Sequence, residues 1–263
     1  MWFSDPFLSY LKAYGYCVIR LPKTDLKPLQ IMAKNGKDLD RLGDLTTVLV
    51  AGSNIKVPRI SENNTATNIT GQRTSDISFG IGLSILGSFI GAMGGSKLGL
   101  DTKYQQAKTI AFEFNQVLED RIDVAMLDQY LADSDVNPFS RHVSEMLEAD
   151  EVYVTTATIK SKKFTVEAKM SNGTSLQLNL PDIQGIVGGN VKIAGQSHMA
   201  SKITYEGNVP LVFGFQAVRL FYEKGRYTAF KPLTAEVAMR AITPPTDGTS
   251  RLITEGLYAR LGD

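Results

Sequence analysis

The sequence predicts an α+β fold, in which helices surround a twisted sheet of mixed or antiparallel strands. Apolar residues alternate at period two over 110–114 and 164–180, which is typical of strands with one buried face, and the apolar residues at 211–222 predict a further strand. Helical spacing of apolar residues over 119–133 and 139–149 predicts helices between them. The chain has 263 residues, 21% of them charged, and a mean hydropathy of −0.08, so it contains ample material for a core.

From residue 4 to residue 76 the chain reads as five segments. Ser4 or Asp5 caps a short helix over 5–14, which has Pro6 in its first turn and ends at Gly15. The following segments are an apolar strand at 16–21, a polar helix or loop at 25–45, a strand at 45–50 and a mobile, turn-rich loop at 62–76.

Residues 77–96 form an uncharged run that fits two secondary structures. At helical spacing, an apolar stripe opposes a narrow face of glycine and serine; the stripe is Phe79, Leu83, Leu86, Ile90 and Met93, and the narrow face is Gly80, Ser84, Gly87 and Gly91. At period two, one face of a nine-residue strand carries Ile77, Phe79, Ile81, Leu83 and Ile85. Its glycines and serines make the run too weakly hydrophobic for a permanent membrane helix. The run therefore predicts either a core helix packed through its glycines or a conditional membrane strand.

Residues 151–180 predict the clearest β-hairpin, with a bulged turn at Asn172-Gly173. A turn one residue longer than the two-residue type pairs Met170 with Leu176 and Ala168 with Leu178, which collects the apolar side chains on one face. That face consists of Phe164, Val166, Ala168, Met170, Leu176, Leu178 and Leu180. It fits either a sheet edge over a core or a membrane hairpin whose polar face lines a lumen.

The last part of the chain predicts a strand, a turn and a helix before a linker. The strands are at 211–222 and 227–230, the helix at 233–241 and the linker at 244–250. After the linker, hydrophobicity returns at Leu252, Ile253, Leu257, Tyr258 and Leu261, so we expect these residues to be bound by the rest of the protein. We divide the chain into a domain at 1–242 and a C-terminal tail at 243–263, which comprises the linker and a terminal peptide.

Charge and cysteine content limit the classes of partner that the protein can bind and the cellular compartment in which it is expected. A net charge of +1 provides no overall attraction to nucleic acid. A local basic excess near the start includes Lys12, Arg20, Lys23 and Lys27. The single cysteine, Cys17, fits a reducing compartment, and no secretory signal pattern opens the sequence, so we expect a cytosolic protein.

Catalytic, cofactor and metal motifs are missing from the sequence. His142 and His198 are the only histidines, and neither has a second histidine at the i+3 or i+4 spacing of a metal-ligand pair. The glycines at 80 and 82 precede Ile85 where a dinucleotide-binding motif needs a small residue, and Gly94 to Lys97 has the wrong order for a phosphate-binding loop. We therefore expect no enzyme, no cofactor and no metal site.

The opening of the chain contains Asp5-Pro6, Tyr10-Leu11-Lys12, Gly15-Tyr16, Val18 to Lys23, Asp25 and Pro28-Leu29. In these residues it resembles the opening of bacterial gasdermins. The resemblance extends to the apolar run, to residues 97–114 and to the short apolar tail after a linker. It therefore covers most of the chain.

The resemblance implies an autoinhibited pore-forming protein of antiphage defence. A caspase-like or other protease would cut between Ile242 and Leu252, for which Asp247, Arg251 and Leu252 are the candidate sites. The tail, held before the cut through Leu252, Ile253, Leu257, Tyr258 and Leu261, would then leave. The monomeric cytoplasmic protein would become a homo-oligomer that opens pores in the inner, cytoplasmic membrane and kills the cell.

Two segments would form the membrane hairpins that the resemblance implies. The first is predicted to insert Ile77, Phe79, Ile81, Leu83, Ile85, Ile110, Phe112 and Phe114, and the second the seven apolar residues of the 164–180 hairpin. Lys12, Arg20, Lys23 and Lys27 would meet anionic phospholipid headgroups. Several bacterial gasdermins resemble each other in a lipidated cysteine near the start, where this chain has Trp2, Phe3 and Ser4. We interpret Cys17, inside a predicted strand, as a small core residue rather than an acylation site.

Two other functions fit the same residues. In the first alternative, the chain is a soluble lipid- or ligand-binding α+β module whose apolar groove the tail covers, so that tail removal exposes a pocket without assembly. In the second, it is an enzyme subunit whose active site lies on a partner chain, and a stoichiometric partner would co-purify with it.

Overall fold

Long antiparallel strands organise the fold, which is known here from a computed structural model that describes residues 11, 14–35, 38–52, 54–195, 197–233 and 258–259. The described helices are α1 (Leu45–Val48), α2 (Phe79–Ala92), α3 (Leu100–Lys103), α4 (Val124–Ala132), α5 (Arg141–Glu148) and α6 (Leu180–Val187). The described strands are β1 (Cys17–Lys23), β2 (Gln30–Asn35), β3 (Asp38–Asp44), β4 (Leu49–Ala51), β5 (Ser61–Thr65), β6 (Ile77–Ser78), β7 (Thr109–Asn115), β8 (Leu118–Arg121), β9 (Ser134–Val136), β10 (Val152–Lys169), β11 (Leu178–Asn179), β12 (Lys192–Ala194), β13 (Met199–Ala200), β14 (Lys202–Glu223), β15 (Arg226–Pro232) and β16 (Tyr258–Ala259).

The main sheet is built around β10 and β14, which run antiparallel over most of their lengths. The other edge of β10 pairs in succession with β2, β8 and β7. The other edge of β14 pairs with β12, β1 and β15. Each long strand thus carries three shorter neighbours, so both of its edges are largely occupied. Two small sheets, β4–β9 and β11–β13, lie apart from it.

Three clusters of buried apolar residues form the core. The main core lies between α2, α6, β7 and the ends of β10 and β14 that pair near Phe164 and Tyr205. A second cluster packs α1, α4 and α5 against the opposite ends of β10 and β14. A third, smaller cluster joins β1, β2 and β3 to β14 through Ile19, Met32 and Phe215. The mixture of helices with a large, mainly antiparallel sheet confirms the predicted α+β class.

Several predicted elements appear where the sequence pattern placed them. The strands predicted at 110–114 and 227–230 are β7 and β15, and the helix predicted at 139–149 is α5. The apolar strand predicted at 16–21 is β1, which extends to Lys23. The strand predicted at 211–222 is the second half of β14. The helix predicted at 5–14 and most of that at 233–241 lie outside the described residues.

The predicted polar helix or loop at 25–45 is wrong, because this segment forms the β2–β3 hairpin. Ile31, Met32 and Ala33 in β2 are buried on both faces of the sheet, while β3 is an edge strand that tolerates charged residues facing solvent. The predicted strand at 45–50 is only partly correct, since its first four residues are α1. One helical turn buries both Leu45 and Val48 in the second cluster, which a strand would not do.

Two further segments begin with a strand that the sequence pattern concealed. The predicted loop at 62–76 starts as β5, which pairs with β8. The predicted helix at 119–133 starts as β8, and α4 follows it only from Val124. Asp123 caps α4 by accepting hydrogen bonds from the backbone N–H groups of Ala125 and Met126 at 2.9 and 3.4 Å, which explains the late start.

The predicted hairpin at 151–180 is correct for its first strand and wrong for its second. Met170 lies opposite Thr174, whose carbonyl accepts the Met170 N–H at 2.9 Å, so the predicted pairs of Met170 with Leu176 and of Ala168 with Leu178 do not form. Gly173 adopts φ +80°, as a bulged three-residue turn requires. The Leu176 N–H still donates to the carbonyl of Ala168, and beyond Leu176 the chain leaves β10, because β7 and β14 already occupy its two edges. Leu178 instead belongs to β11 and Leu180 begins α6.

Candidate functional site

The residues predicted to enter a membrane lie together in the main core. Every apolar residue assigned above to the two hairpins is either buried in this cluster or packed against it. Phe79, Ile81, Leu83 and Met170 are the partly buried ones, and the other eleven are buried. The core is thus built from the side chains whose alternation suggested insertion, and we call the unit formed by α2, β7 and the 163–169 end of β10 the clamp.

The ambiguous run takes its helical form, as α2. Leu86, Ile90 and Met93 of the predicted stripe are buried, and Gly80 and Ser84 of the narrow face are exposed. The buried face also includes Ile85 and Phe89, so it is rotated from the predicted stripe by about one residue. The prediction of a core helix is confirmed for this state, and each helix among the described residues lacks the length or apolarity to span a bilayer.

Two glycines, one in α2 and one three residues after it, allow close packing against neighbouring elements. A Cβ atom on Gly82 would lie 2.7 Å from Ile110 Cβ on β7, which is closer than carbon atoms pack. A Cβ atom on Gly95 would lie 2.0 Å from the carbonyl oxygen of Val187 at the end of α6. Gly80 and Gly91 face open space instead. For the part of the chain that the structure describes, packing through glycine is therefore confirmed at Gly82 and absent at Gly80 and Gly91.

Aromatic rings connect α2 to both strands of the clamp. The ring centroid of Phe89 is 5.5 Å from that of Phe114 on β7 and 4.6 Å from that of Phe164 on β10. Phe114 stacks in turn on Phe213 of β14 at 4.0 Å. Tilted and stacked rings at these separations add to the free energy of apolar burial. Because Phe89 is fully buried, α2 cannot leave β7 and β10 without exposing it.

The opposite face of the clamp strands is polar and ion-paired. Arg73 pairs with Glu167, and Lys169 Nζ lies 2.7 Å from Asp76 Oδ2. Burial alone raises the pKa of Glu167, but the hydrogen bond from Ser175 and the Arg73 guanidinium together hold that pKa below its ordinary value. These contacts fix the segment before α2 to β10. The clamp strands therefore already have one apolar and one polar face.

A pair of tyrosine hydroxyl groups lies within the main core. Tyr104, just after α3, and Tyr205, on β14, are fully buried, and their hydroxyl oxygens are 2.9 Å apart. Burial raises the pKa of each phenol, so both remain neutral at physiological pH. This hydrogen bond joins the connection between α2 and β7 to the central sheet.

We expect Tyr104→Phe and Tyr205→Phe each to lower the free energy of unfolding by about 1–3 kcal/mol, because each leaves one buried hydroxyl without its partner. The double variant should lose less than the sum of the two, since neither hydroxyl then remains. Urea unfolding measures all three. Tyr222→Phe is the matched control, because its buried hydroxyl has no hydrogen-bond partner among the described residues and its removal should cost little. Additive losses in the double variant would contradict a coupled pair.

The C-terminal tail contacts the main sheet through β16. Tyr258 and Ala259 pair in parallel with Val18 and Ile19 of β1. This pairing joins the backbone of Tyr258 to the domain, and the binding of the other apolar residues of the tail stays a prediction. The cleavage candidates Asp247, Arg251 and Leu252 and the tail residues Ile253, Leu257 and Leu261 lie outside the described residues.

The other predicted site residues are not gathered at one place. Lys27 is exposed and lies 3.4 Å from Asp44, and Lys23 ends β1. Arg20 belongs to β1, and Lys12 lies outside the described residues. Cys17 is half-buried opposite Phe215 and packs against the third cluster, which agrees with its interpretation as a small core residue. Within the described ranges, no three His, Cys, Asp or Glu side chains lie close enough together to hold a metal.

Sequence reasoning missed Phe89, Gly95 and the tyrosine pair. Phe89 was overlooked because the stripe was read one residue out of register, although its spacing of four from Ile85 is a helical signal. No local signal identifies Gly95, Tyr104 or Tyr205, since their roles depend on residues far away in the chain.

Comparisons with known proteins place the chain in a family. Residues 19–226 match the Bacterial Gasdermin Family. The chain is 62% identical over 263 residues to a gasdermin of a Desulfuromonadales bacterium, with 99% of each chain covered. It is 46% identical over 243 residues to a gasdermin of Lysobacter enzymogenes, covering 92% of this chain and 90% of that one. These matches show that the protein belongs to the bacterial gasdermins.

A solved structure supports the fold. The bacterial gasdermin of Bradyrhizobium tropiciagri has a TM-score of 0.54 to this chain at 12% identity, with 98% of this chain and 97% of that one covered. At this identity the similarity concerns the fold alone.

Proposed function

We propose that this protein is an autoinhibited pore former of antiphage defence. A protease, caspase-like or other, removes the tail at 243–263, and the domain at 1–242 then assembles into pores in the inner membrane, which kills the cell. Before the cut, the protein is a monomer in the cytoplasm. It acts by permeabilising the membrane and performs no catalysis of its own.

The clamp is the observation that carries this proposal. β7 and β10 already alternate between apolar and polar side chains, and α2 covers their apolar face through Phe89 and Gly82. If α2 leaves, that face loses its cover, and lipid is the solvent in which its exposure costs least. The freed run at 77–85 has the same alternation and extends the sheet, since its first residues pair with β7 already as β6. The extended sheets of neighbouring copies must then pair into a closed ring, because an open strand edge is unacceptable in lipid.

Dye release from liposomes tests the proposal. The full-length chain and a chain with an engineered protease site at 244–250 are added to phosphatidylcholine–phosphatidylglycerol liposomes, with and without the protease. We expect dye release and large oligomers only from the cut chain. A cut protein that releases no dye and remains monomeric would contradict the proposal and favour the soluble lipid- or ligand-binding module.

A further inference from the structure

The β1–β16 contact differs from every other strand pairing among the described residues, because it alone is parallel. All the remaining pairings, in the main sheet and in the two small ones, are antiparallel. The tail strand β16 therefore does not continue the antiparallel order of the sheet. It lies at the edge of β1 and runs parallel to it.

A single row of paired residues crosses the sheet at this point. Val18 on β1 pairs with Gly214 on β14, and Gly214 pairs with Ile159 on β10. Ile159 pairs with Glu119 on β8, and Glu119 with Asn64 on β5. The row begins at the strand that holds the tail and ends at β5, which has no further strand beside it among the described residues. β1 and β5 are thus the opposite ends of a five-strand row within the main sheet, and β16 covers the outer edge of β1.

The two edges point in the same direction. Each strand of the row is antiparallel to the one before it, so the first and the fifth, β1 and β5, are parallel. A second copy placed beside β1 by a head-to-tail operation would therefore present its β5 to β1 in parallel. This is the direction in which the tail strand β16 lies against β1.

Hydrogen bonds to β8 hold β5 in place, so that its outer edge is available for such a contact. The backbone N–H of Asn63 donates to Asp120 Oδ1 at 2.7 Å, and Lys160 Nζ lies 2.5 Å from the other oxygen of that carboxylate. The Asn64 side chain donates to the carbonyl of Ser61 at 2.9 Å and to that of Glu119 at 3.2 Å. These bonds fasten β5 to β8 and leave its outer edge toward solvent.

We infer that the β1 edge is a docking site for β5 of a second copy of this chain, and that the tail strand β16 blocks it by imitating that strand. This inference rests on the proposed function, because it names the contact through which cut copies join. Head-to-tail pairing of opposite edges closes into a ring when the rotation between copies allows it.

Cleavage changes which strand pairs with the β1 edge. While the linker is intact, the two-residue pairing of β16 is intramolecular and benefits from a high effective concentration. After the cut, the tail must rebind from solution, whereas other copies become concentrated on the membrane. A weak strand pairing is therefore sufficient for latency and is lost once the tether is broken.

Disulfide trapping on liposomes tests the inference. The chain carries Cys17→Ser, Val18→Cys and Asn64→Cys, together with the engineered cleavage site. The two new cysteines are four strand spacings apart in one copy, about 19 Å, which is too far for a bond within the chain. We expect oxidation of the cut protein to give a ladder of covalent multimers, reduced about tenfold or more in the uncut protein. Chains with only one of the two cysteines can form dimers but no ladder.

Two matched variants keep the result decisive. Thr65→Cys replaces Asn64→Cys in a second chain, so that loss of the Asn64 hydrogen bonds does not decide the outcome. Asp40→Cys replaces it in a third, which probes β3, another edge of the main sheet. Dye release without a ladder from either β5 variant, or a ladder only with Asp40→Cys, would overturn the inference while leaving the pore function standing. Absence of dye release from cut wild-type protein would instead refute the proposed function itself.

Discussion

Cut protein carrying Leu83→Arg is expected to release no dye from liposomes, whereas cut protein carrying Ser84→Arg should release dye as wild type does. In a membrane strand that starts at residue 77, Leu83 points to lipid and its neighbour Ser84 to the lumen. An arginine on the lipid face costs about 2–4 kcal/mol near the middle of the bilayer, and every subunit of the ring carries it. A lumen arginine remains in water.

The folded state offers a fair comparison between these two positions. Ser84 is exposed on α2 and Leu83 is partly buried, so neither arginine has to enter the centre of the core. The aliphatic stem of an arginine at position 83 can lie along the apolar surface while its charge reaches water. Urea unfolding of the uncut variants provides the control, and both should retain most of the wild-type stability.

Each possible failure has its own meaning. Dye release that persists with Leu83→Arg would show that this run does not cross the membrane as the proposed strand. Loss of dye release with both substitutions would show that residues 83 and 84 share one environment in the pore, which contradicts the alternation. A membrane β-strand is supported only if Leu83→Arg abolishes dye release and Ser84→Arg does not.

The strands of the clamp could be predicted because the local sequence pattern and the tertiary packing favour the same secondary structure there. Phe112 and Phe114 alternate with polar residues, and the same alternation packs the core in this state. Local pattern and tertiary packing therefore demand the same strand. The sequence of residues 77–96 satisfies two periods equally, and local pattern alone cannot choose between them.

Contacts distant in sequence choose the helix. Gly82 fits against Ile110 and Phe89 fits between Phe114 and Phe164, so the helical form buries a face that depends on residues about 25 to 75 positions away. The second strand of the 164–180 hairpin failed for a similar reason. Whether β10 has a free edge for Leu176 to Leu180 is decided by β7 and β14, and no property of the hairpin itself reveals it.

The candidate site was predictable in composition but not in arrangement. The apolar residues of the tail, including Tyr258, were expected to be bound because a hydrophobic end after a linker is costly in water. Their partner strand was not predictable, because a strand edge such as that of β1 is a property of the whole sheet. Clustering of the inserting residues in one core also emerged only from the fold.

Phe89→Ala should lower the free energy of unfolding by about 3–5 kcal/mol, since a fully buried aromatic ring is removed and its cavity lies between helix and strands. The free energy of unfolding of a typical domain is only about 5–15 kcal/mol, so this loss is a large part of it. Urea unfolding measures it, with Ser84→Ala on the exposed face as the control, for which a change within about 0.5 kcal/mol is expected.

The position of the cavity gives this substitution a second, functional consequence. Phe89 contributes to the contact that keeps α2 over β7 and β10, so its loss lowers the free energy needed to release the helix and not only that of global unfolding. Amide hydrogen exchange in α2 should therefore accelerate more than in β14, and uncut Phe89→Ala protein should release dye faster than uncut wild type. Uniform acceleration across the chain, with no dye release from the uncut variant, would show that the ring stabilises the fold without holding the latent state. In that case the tail alone would maintain latency, because the packing of α2 would not contribute to the barrier.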